Sequence, residues 1–325
     1  MKIVIPGGSG QVGTVLARAF QADGHEVVIF SRGAKEPGAG DRGSSRGWRV
    51  VGWDATSLGR WTTELEGADV VINLAGRNVN CRYNARNRRD IIESRVRSTR
   101  LIGEAIAKAT APPRLWLQAS TATIYAHRYD APNDERTGII GGSEPNAPDT
   151  WKFSIEVARA WEQSVDESPT PATRKVKLRS AMVMSPDRGG IFDTLLTLVR
   201  RGLGGRAADG RQFISWIHEI DFVRALYWII ERDEMSGAVN VASPNPIPNG
   251  EFMRILRNAA AVRIGLPANR LMLEIGAFAM RSETELILKS RRVIPTRLLE
   301  SGFQFEFPDW TAAARDLCQR SRESS

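Results

Sequence analysis

Cysteine, histidine and tyrosine are scarce in this chain, and each scarcity excludes something. Its two cysteines, Cys81 and Cys318, stand far apart. They offer neither a disulfide framework nor metal-ligand spacing, and read as free thiols in a reducing compartment. The three histidines, His25, His127 and His218, show no His-Glu-x-x-His or mixed Cys/His pattern, which leaves zinc chemistry without ligands. No Gly-x-Ser-x-Gly elbow is present, so a hydrolase nucleophile of that kind is excluded. No window approaches the roughly eighteen apolar residues that a membrane-spanning helix needs. Met1-Lys2 leads straight into Ile-Val-Ile-Pro-Gly-Gly-Ser-Gly, with no room for a signal or transit segment, and a cytoplasmic location is expected. The four tyrosines are Tyr83, Tyr125, Tyr129 and Tyr227, followed four places later by Asn87, Tyr129, Asn133 and Glu231. Tyr-x-x-x-Lys therefore occurs nowhere.

Positive charge is what the chain has in excess. Its formal net charge is +8, and arginine greatly outnumbers lysine. The densest run lies between Cys81 and Arg100. Within it Ile91, Ile92 and Val96, then Leu101 and Ile102, recur at helical spacing, and Asp90, Glu93 and Glu104 stand opposite arginines. That pattern describes a solvated helix face, partly turned toward an anionic cofactor or substrate. Nucleic acid is a poor fit, because no aromatic interleaving or binding motif accompanies the charge.

Apolar, β-branched runs at 2–6, 26–30, 48–53, 69–76, 114–120 and 175–184 alternate with helical patterns at Val12–Ala22, Arg86–Ala109 and Lys152–Asp166. Continuous apolar strands alternating with helices predict an α/β, Rossmann-type, doubly wound parallel sheet. Two segments rich in glycine, proline and small polar residues, 33–47 and 127–149, predict loops that shape a binding site. Past Met184 helices are expected at 191–201, 219–232, 249–260, 269–279 and 282–290. This reading divides the chain into a Rossmann domain over 1–184, to which 213–232 returns, and a smaller, mostly helical lobe over 185–325. The lobe would close over the carboxyl ends of the strands and choose a small-molecule substrate.

Pro6-Gly7-Gly8-Ser9-Gly10-Gln11-Val12-Gly13 follows the first strand and opens the first helix. One glycine makes the tight turn, another lets backbone approach a pyrophosphate, and the third lets helix pack on strand. The pyrophosphate meets free N–H groups at the positive end of the helix. Gly7, Ser9, Gly10, Gln11, Val12 and Gly13 are thus expected around a dinucleotide. An NAD site puts a carboxylate after the second strand, where it binds the ribose 2′-hydroxyl. Here that place holds Phe30-Ser31-Arg32-Gly33. Arginine makes charge-assisted bonds to a 2′-phosphate, so Ser31 and Arg32 point to NADP(H). Asp54, followed by Ala55, either accepts from the adenine amino group or initiates a turn. Leu74, Ala75 and Gly76 end the next strand with small residues, as close backbone approach to a cofactor requires.

The segment Ala119-Ser120-Thr121-Ala122-Thr123-Ile124-Tyr125 resembles the strand bearing the catalytic Ser or Thr in extended short-chain dehydrogenase/reductases. Ser215-Trp216-Ile217-His218-Glu219-Ile220-Asp221 resembles that superfamily's Ile-His-x-x-Asp signature. Val71–Gly76, Glu93-Ser94-Arg95, Trp161-Glu162, Gly202–Gly205, Gly210–His218, Ser243–Pro246 and Val293–Phe305 narrow the resemblance. They are similar to an atypical "epimerase family" subgroup, nucleoside-diphosphate-sugar epimerase-like, with a C-terminal domain of unknown function and sometimes labelled cell-division inhibitors. The resemblance covers essentially the whole chain. It implies a Rossmann core, NADP(H) binding through positions such as Ser31 and Arg32, and an interleaved C-terminal lobe. It does not imply a substrate. Arg77 is a departure, since the subgroup commonly has Glu there; an arginine at that place can reach a phosphate.

In the superfamily a tyrosine transfers the proton at the substrate oxygen and a lysine four residues later supports it. Counting back from Trp161-Glu162, that pair falls at Phe153/Val157 or Ser154/Ala158, and both lack the phenol and the ammonium. Thr121, with Ser120 beside it, is the polar group expected at the substrate oxygen. Tyr125 is the leading replacement donor, ahead of Tyr129 and His127, the alternative being a water or a group of the substrate. The first functional expectation is an NADP(H)-dependent oxidoreductase or epimerase-like enzyme acting on a hydroxyl or carbonyl substrate. Its rival is a non-catalytic NADP(H)-sensing regulator. The superfamily's dimers pair through helices corresponding to 86–109 and 152–166, which implies a homodimer.

Overall fold

The computed structural model describes residues 1–33, 47–269, 271–274 and 283–323. Ile3, Val4 and Ile5 of β1 (Lys2–Pro6) have no solvent exposure, and neither have Val70, Val71 and Ile72 of β4 (Val70–Asn73). A strand apolar at every position must be covered on both faces. Alternate side chains divide accordingly. Ile3, Ile5 and Ile29 pack with Phe20 of α1 (Gln11–Ala22) and with Phe222 and Leu226 of α5 (Glu219–Ile230). Val4, Val28 and Trp116 pack on the opposite face with Ile102 and Ile106 of α2 (Ala85–Lys108) and Val165 of α3 (Asp149–Asp166). The strand period of two thus builds two cores on one sheet.

The remaining strands of that sheet are β2 (Glu26–Ser31), β3 (Arg49–Gly52), β5 (Leu115–Thr121), β6 (Arg174–Ser180) and β10 (Gly237–Val241). All seven run parallel, in the order β10-β6-β5-β4-β1-β2-β3. The chain moves outward from β1 through β2 and β3, then returns to the other side of β1 as β4. Ligands in such sheets bind at this reversal, outside the carboxyl ends of the strands.

The apolar run over 175–184 is not one strand. It breaks at Ala181, and β7 (Met182–Met184) leaves the main sheet to pair with β9 (Trp216–His218). A second small pair joins β8 (Phe213–Ile214) to β11 (Ile247–Pro248). These pairs base a lobe containing α4 (Ile191–Arg200), α6 (Asn249–Ala259), α7 (Glu285–Leu288) and α9 (Trp310–Glu323), whereas α8 (Thr296–Glu300) packs on β10 and sends Leu298 into the core of the main sheet. Its core stacks Phe252 on Trp310 at 4.1 Å, with Trp216 at 4.9 Å from the same indole. The expected helix over 282–290 is one short turn, α7, and most of the one expected over 269–279 lies outside the described residues, as does most of the loop over 33–47.

His218 and Asp221, at the start of α5, fasten the lobe to the main sheet. His218 is fully buried, caps α5 through Nδ1, meets Asp316 at 2.9 Å through Nε2, and stacks on Phe307. Both Asp221 carboxylate oxygens accept backbone N–H bonds, from Glu306 and Phe307, at 2.8 Å. Both cysteines are free thiols.

Candidate functional site

The turn between β1 and α1 is shaped by what its glycines touch. Gly7 has φ +75°, and a Cβ there would fall 2.7 Å from the backbone of Ala75. The turn is therefore pressed against the end of β4. A Cβ on Gly13 would lie 2.3 Å from the Gly8 carbonyl oxygen, so α1 begins in contact with the turn itself. Gly10 differs, since nothing lies within 4 Å of where its Cβ would stand. It N-caps α1, whose first turn has no side-chain cap and no acidic residue. The positive end of a twelve-residue helix is thereby left to an anion.

Above this turn lies a cleft of about 670 Å³. Gly7, Ser9 and Gly10 line it, together with Ser31, Arg32, Asp54, Ala55, Leu74, Ala75, Gly76 and Arg77. Residues chosen from four separate stretches of sequence thus converge on one cavity. Phe30, Trp53 and one face of α2, carrying Asp90, Glu93, Ser94 and Arg97, complete the lining. The α2 residues stand three and four apart and so share one helix face, the part of the arginine-rich run that turns toward the cleft. Arg97 Nη2 donates to the Thr56 carbonyl at 3.1 Å, holding α2 against the wall after β3.

Gln11, Val12, Gly13 and Ser120 do not line the cleft with side chains. Gln11 lies against Gly190, where a Cβ would meet its Nε2 at 2.1 Å, and that buried Nε2 has no hydrogen-bond partner among the described residues. Val12 packs on the sheet core. These positions can serve a ligand only through backbone N–H groups.

Asp54 makes a turn of its own. Oδ1 accepts from the N–H groups of Thr56 and Ser57 at 2.7 and 2.9 Å, and Oδ2 from Ser57 Oγ at 2.6 Å. The Ser57 hydroxyl and then the Thr56 N–H hold its carboxyl well below the usual range. Ala55 follows at φ +59°, a left-handed conformation that a non-glycine residue adopts at a cost of about 1–3 kcal/mol. Arg32 is exposed at the mouth of the cleft and has no hydrogen-bond or ion-pair partner among the described residues. Arg77 is already committed: its guanidinium pairs with Asp90 and donates to Asn87 Oδ1 at 2.7 Å. The expectation that it reaches a phosphate does not match that arrangement.

The expected proton donor is also committed. Tyr125 is 2% exposed and does not line the cleft. Its hydroxyl donates to Asn240 Oδ1 at 2.9 Å and accepts from Arg179 Nη1 at 3.0 Å. Arg179 grips both oxygens of Glu162 at 2.8 Å, and Glu162 accepts from Ser120 Oγ at 2.6 Å. Burial raises the Tyr125 phenol pKa, with Arg179 opposing it. Ser120 and Tyr125 therefore serve in this placement as members of a buried network that ties β5, α3, β6 and β10 together. Thr121 ends β5, half-buried, and its Oγ1 accepts from the Thr123 N–H at 3.1 Å.

Phe153 and Ser154, where a tyrosine would stand on α3, point to different partners. Phe153 packs edge-on to Tyr83 at 4.9 Å, whereas Ser154 Oγ donates to Glu285 of the C-terminal lobe. Lys289 and Arg291 follow in the same segment. Lys289 Nζ donates to the Thr123 carbonyl at 2.7 Å, and Arg291 Nε donates to Thr123 Oγ1 at 3.0 Å. Burial, then Arg291, lowers the Lys289 ammonium to about 8, against the pull of Glu285 and Glu144. Burial raises the Glu285 carboxyl, with Arg291 opposing, and pushes the Tyr83 phenol up to about 12. Arg95 lies beneath Gly76, over the Trp161 ring at 4.9 Å, and burial lowers it to about 10. This second polar centre was missed, its sole trace being the charges that bracket Leu286-Ile287-Leu288.

Among the described residues no cluster suited to a metal ion occurs, and no helix is long and apolar enough to cross a membrane. Residues 3–242 match the NAD dependent epimerase/dehydratase family, and residues 270–317 match a domain of unknown function, DUF1731. The human epimerase family protein SDR39U1 is 31% identical over 320 residues, covering 98% of this chain and 99% of its own. Epimerase family protein YfhF of Bacillus subtilis is 29% identical over 318 residues, covering 98% of each chain. The crystal structure of human SDR39U1 with NADPH superimposes with a TM-score of 0.82 at 30% identity, over 98% of this chain and 99% of that one. A UDP-N-acetylglucosamine 4-epimerase from Bacillus cereus shares the fold at a TM-score of 0.73 and 16% identity, over 99% of each chain. From its glycine turn to its C-terminal segment, this chain belongs to the NAD dependent epimerase/dehydratase family and carries a C-terminal DUF1731 domain.

Proposed function

We propose that the protein binds NADP(H) and transfers hydride between it and a hydroxyl or carbonyl substrate, as an oxidoreductase or epimerase-like enzyme. The observation that carries this reading is Arg32: a guanidinium at the end of β2 with no partner among the described residues, over a cleft whose glycine turn is open at Gly10. Arg32 and Ser31 suit a ribose 2′-phosphate, and the N–H groups opening α1 suit a pyrophosphate. Leu74, Ala75 and Gly76 give the small wall that a cofactor ribose needs, and the crystallised human relative holds NADPH. The nicotinamide supplies hydride, while the region 185–325 chooses the substrate. The two free thiols suit a reducing cytoplasm, and the exposed faces of α2 and α3 suit a homodimer.

Thermal unfolding with NADPH, NADP+, NADH and NAD+ tests the reading. A ligand at about a hundred times its dissociation constant adds about 2.7 kcal/mol. NADPH and NADP+ should stabilise the protein more than the unphosphorylated pair, and Arg32→Ala should erase the difference. Equal response to all four, or an unchanged preference in Arg32→Ala, refutes it.

The committed phenol of Tyr125 favours a second reading, in which the protein senses NADP(H) without turnover. Transfer of label from 4-deuterated NADPH into carbonyl compounds separates the two. Tight binding with no transfer across a broad carbonyl panel supports the sensor.

A further inference from the structure

Leu203, Ile264 and Leu266 are 51%, 67% and 58% exposed, and backbone contacts hold them together. The Leu266 N–H donates to the Gly202 carbonyl at 2.8 Å, and the Ala268 N–H donates to the Arg206 carbonyl at 3.0 Å. A Cβ on Gly205 would fall 2.3 Å from the Leu266 carbonyl oxygen, and one on Gly202 would lie 3.9 Å from Ile264 Cγ2. The turn after α4 and the loop after α6 are thus pressed against each other, and the three side chains form one aliphatic cluster in solvent. Single exposed apolar residues are ordinary in a folded protein, whereas a contiguous set marks a contact surface.

A cavity of about 630 Å³ opens beside the cluster. Gly205, Gly265 and Pro267 line it, with Arg206, Arg254 and Arg257. Arg257 is held in place: its Nη1 donates to the Gly204 carbonyl at 2.6 Å, and a Cβ on Gly265 would meet its Cδ at 2.6 Å. Two carboxylates share the lining. Glu251 pairs with Arg254 at 3.5 Å, and Asp209 Oδ1 accepts from the Arg211 N–H at 3.1 Å. The Arg206 guanidinium is exposed and has no hydrogen-bond or ion-pair partner among the described residues. The same holds for Arg200 and Arg201, just before Leu203 in the chain, and for Arg263, next to Ile264. Positive charge is therefore in excess both in the cavity and along the two stretches that carry the aliphatic cluster.

We propose that this face binds the surface of an anionic phospholipid bilayer, a headgroup phosphate entering the arginine-lined cavity while Leu203, Ile264 and Leu266 enter the acyl boundary. Aliphatic side chains beside free guanidiniums match the layer where headgroups meet acyl chains, and such binding needs no spanning helix. The cavity gives the phosphate a concave seat with Arg206 and Arg254 to bond it. A second copy of the chain is a poorer occupant, since a two-fold contact would set these arginines against themselves. An acidic protein or a nucleic acid is poorer too, because no aromatic anchor lines the cavity or joins the cluster. The inference stands apart from the cofactor cleft and does not depend on NADP(H).

Flotation of the full chain with phospholipid vesicles tests the assignment. The chain should float with phosphatidylcholine vesicles containing about one-third phosphatidylglycerol and stay behind with pure phosphatidylcholine. Binding should weaken at least about fivefold when salt is raised to about 0.5 M. Arg206→Gln combined with Arg254→Gln should lose about thirtyfold in affinity. Ile264→Ser combined with Leu266→Ser should lose at least about tenfold, and Leu203→Ser alone repeats that test if the loop pair does not fold. Arg136→Gln, which removes an exposed arginine paired with Glu300, should change nothing. No flotation with the anionic vesicles, equal flotation with neutral ones, or flotation that survives both double variants overturns the assignment. Glycerophosphoglycerol, the free headgroup, and poly-glutamate supply the rival arms. Arginine-dependent binding of either one in place of vesicles, indifferent to the serine variants, overturns it in favour of a soluble phosphate ester or an acidic polypeptide.

Discussion

Lys289 should make the stability of the protein depend on pH in a direction that follows from its burial. Burial and Arg291 lower its ammonium from 10.5 to about 8 in the folded chain. As pH rises, the folded protein releases this proton first, and the unfolded chain keeps it until about pH 10.5. The unfolded state binds more protons across that window, so stability climbs with pH between about 8 and 10.5. The cost of holding the charged group is fully present below the lower value and absent above the upper one. At about 1.4 kcal/mol per pH unit, the swing amounts to about 3 kcal/mol. Methionine fills a similar volume and cannot titrate, so Lys289→Met should lack this swing. Urea unfolding of both proteins, followed by circular dichroism at a series of pH values, measures it. The stability of the wild type relative to the variant should improve by about 3 kcal/mol from about pH 7.5 to 10.5. Groups common to both proteins cancel in the difference. A difference that stays flat within about 0.5 kcal/mol, or slopes the other way, refutes the reasoning.

Other perturbations separate binding from folding. Gly10→Ala meets no protein atom and should leave the unfolding temperature unchanged while weakening NADPH at least about tenfold, read by titration calorimetry. Gly7→Ala needs a left-handed φ and strikes Ala75, so it should cost more than about 2 kcal/mol in denaturant unfolding. Tyr125→Phe strips Arg179 and Asn240 of a partner and should cost about 1–3 kcal/mol, with NADPH affinity intact. Asp221→Ala leaves two backbone N–H groups of the lobe without acceptors and should lose about 2 kcal/mol or more, with earlier proteolysis near Glu306.

Much of the fold was legible because its cause is local. Ile3–Ile5 and Val70–Ile72 are apolar at every position, and only a strand covered on both faces satisfies that pattern. The strand β10 was not, since Gly-Ala-Val-Asn-Val is short and carries Asn240 in its interior; its pairing with β6 and the bond from Tyr125 hold it. The final helix, α9, was hidden by its many polar residues, because just one stripe, including Trp310, Ala314 and Leu317, enters the core. At the break after Ser180, the apolar run reads as continuous, and the pairing of β7 with β9 splits it.

The same division governs the site. The glycine turn and Ser31-Arg32 follow directly from strand and helix ends, where short spacing dictates geometry, and they gather in one cleft. Tyr125 looked available in the sequence, yet partners 54 and 115 residues away take both sides of its hydroxyl. Lys289 lies 166 residues from the carbonyl it grips, and Glu285 lies 131 from Ser154. The sequence by itself determined most of the sheet, the glycine-rich turn after β1 and the arginine at the end of β2, because backbone conformation and apolar periodicity act over a few residues. Only the tertiary structure decided which titratable groups are buried, and beside which charges. Desolvation and Coulomb interactions depend on proximity in space, and no local pattern along the chain encodes that.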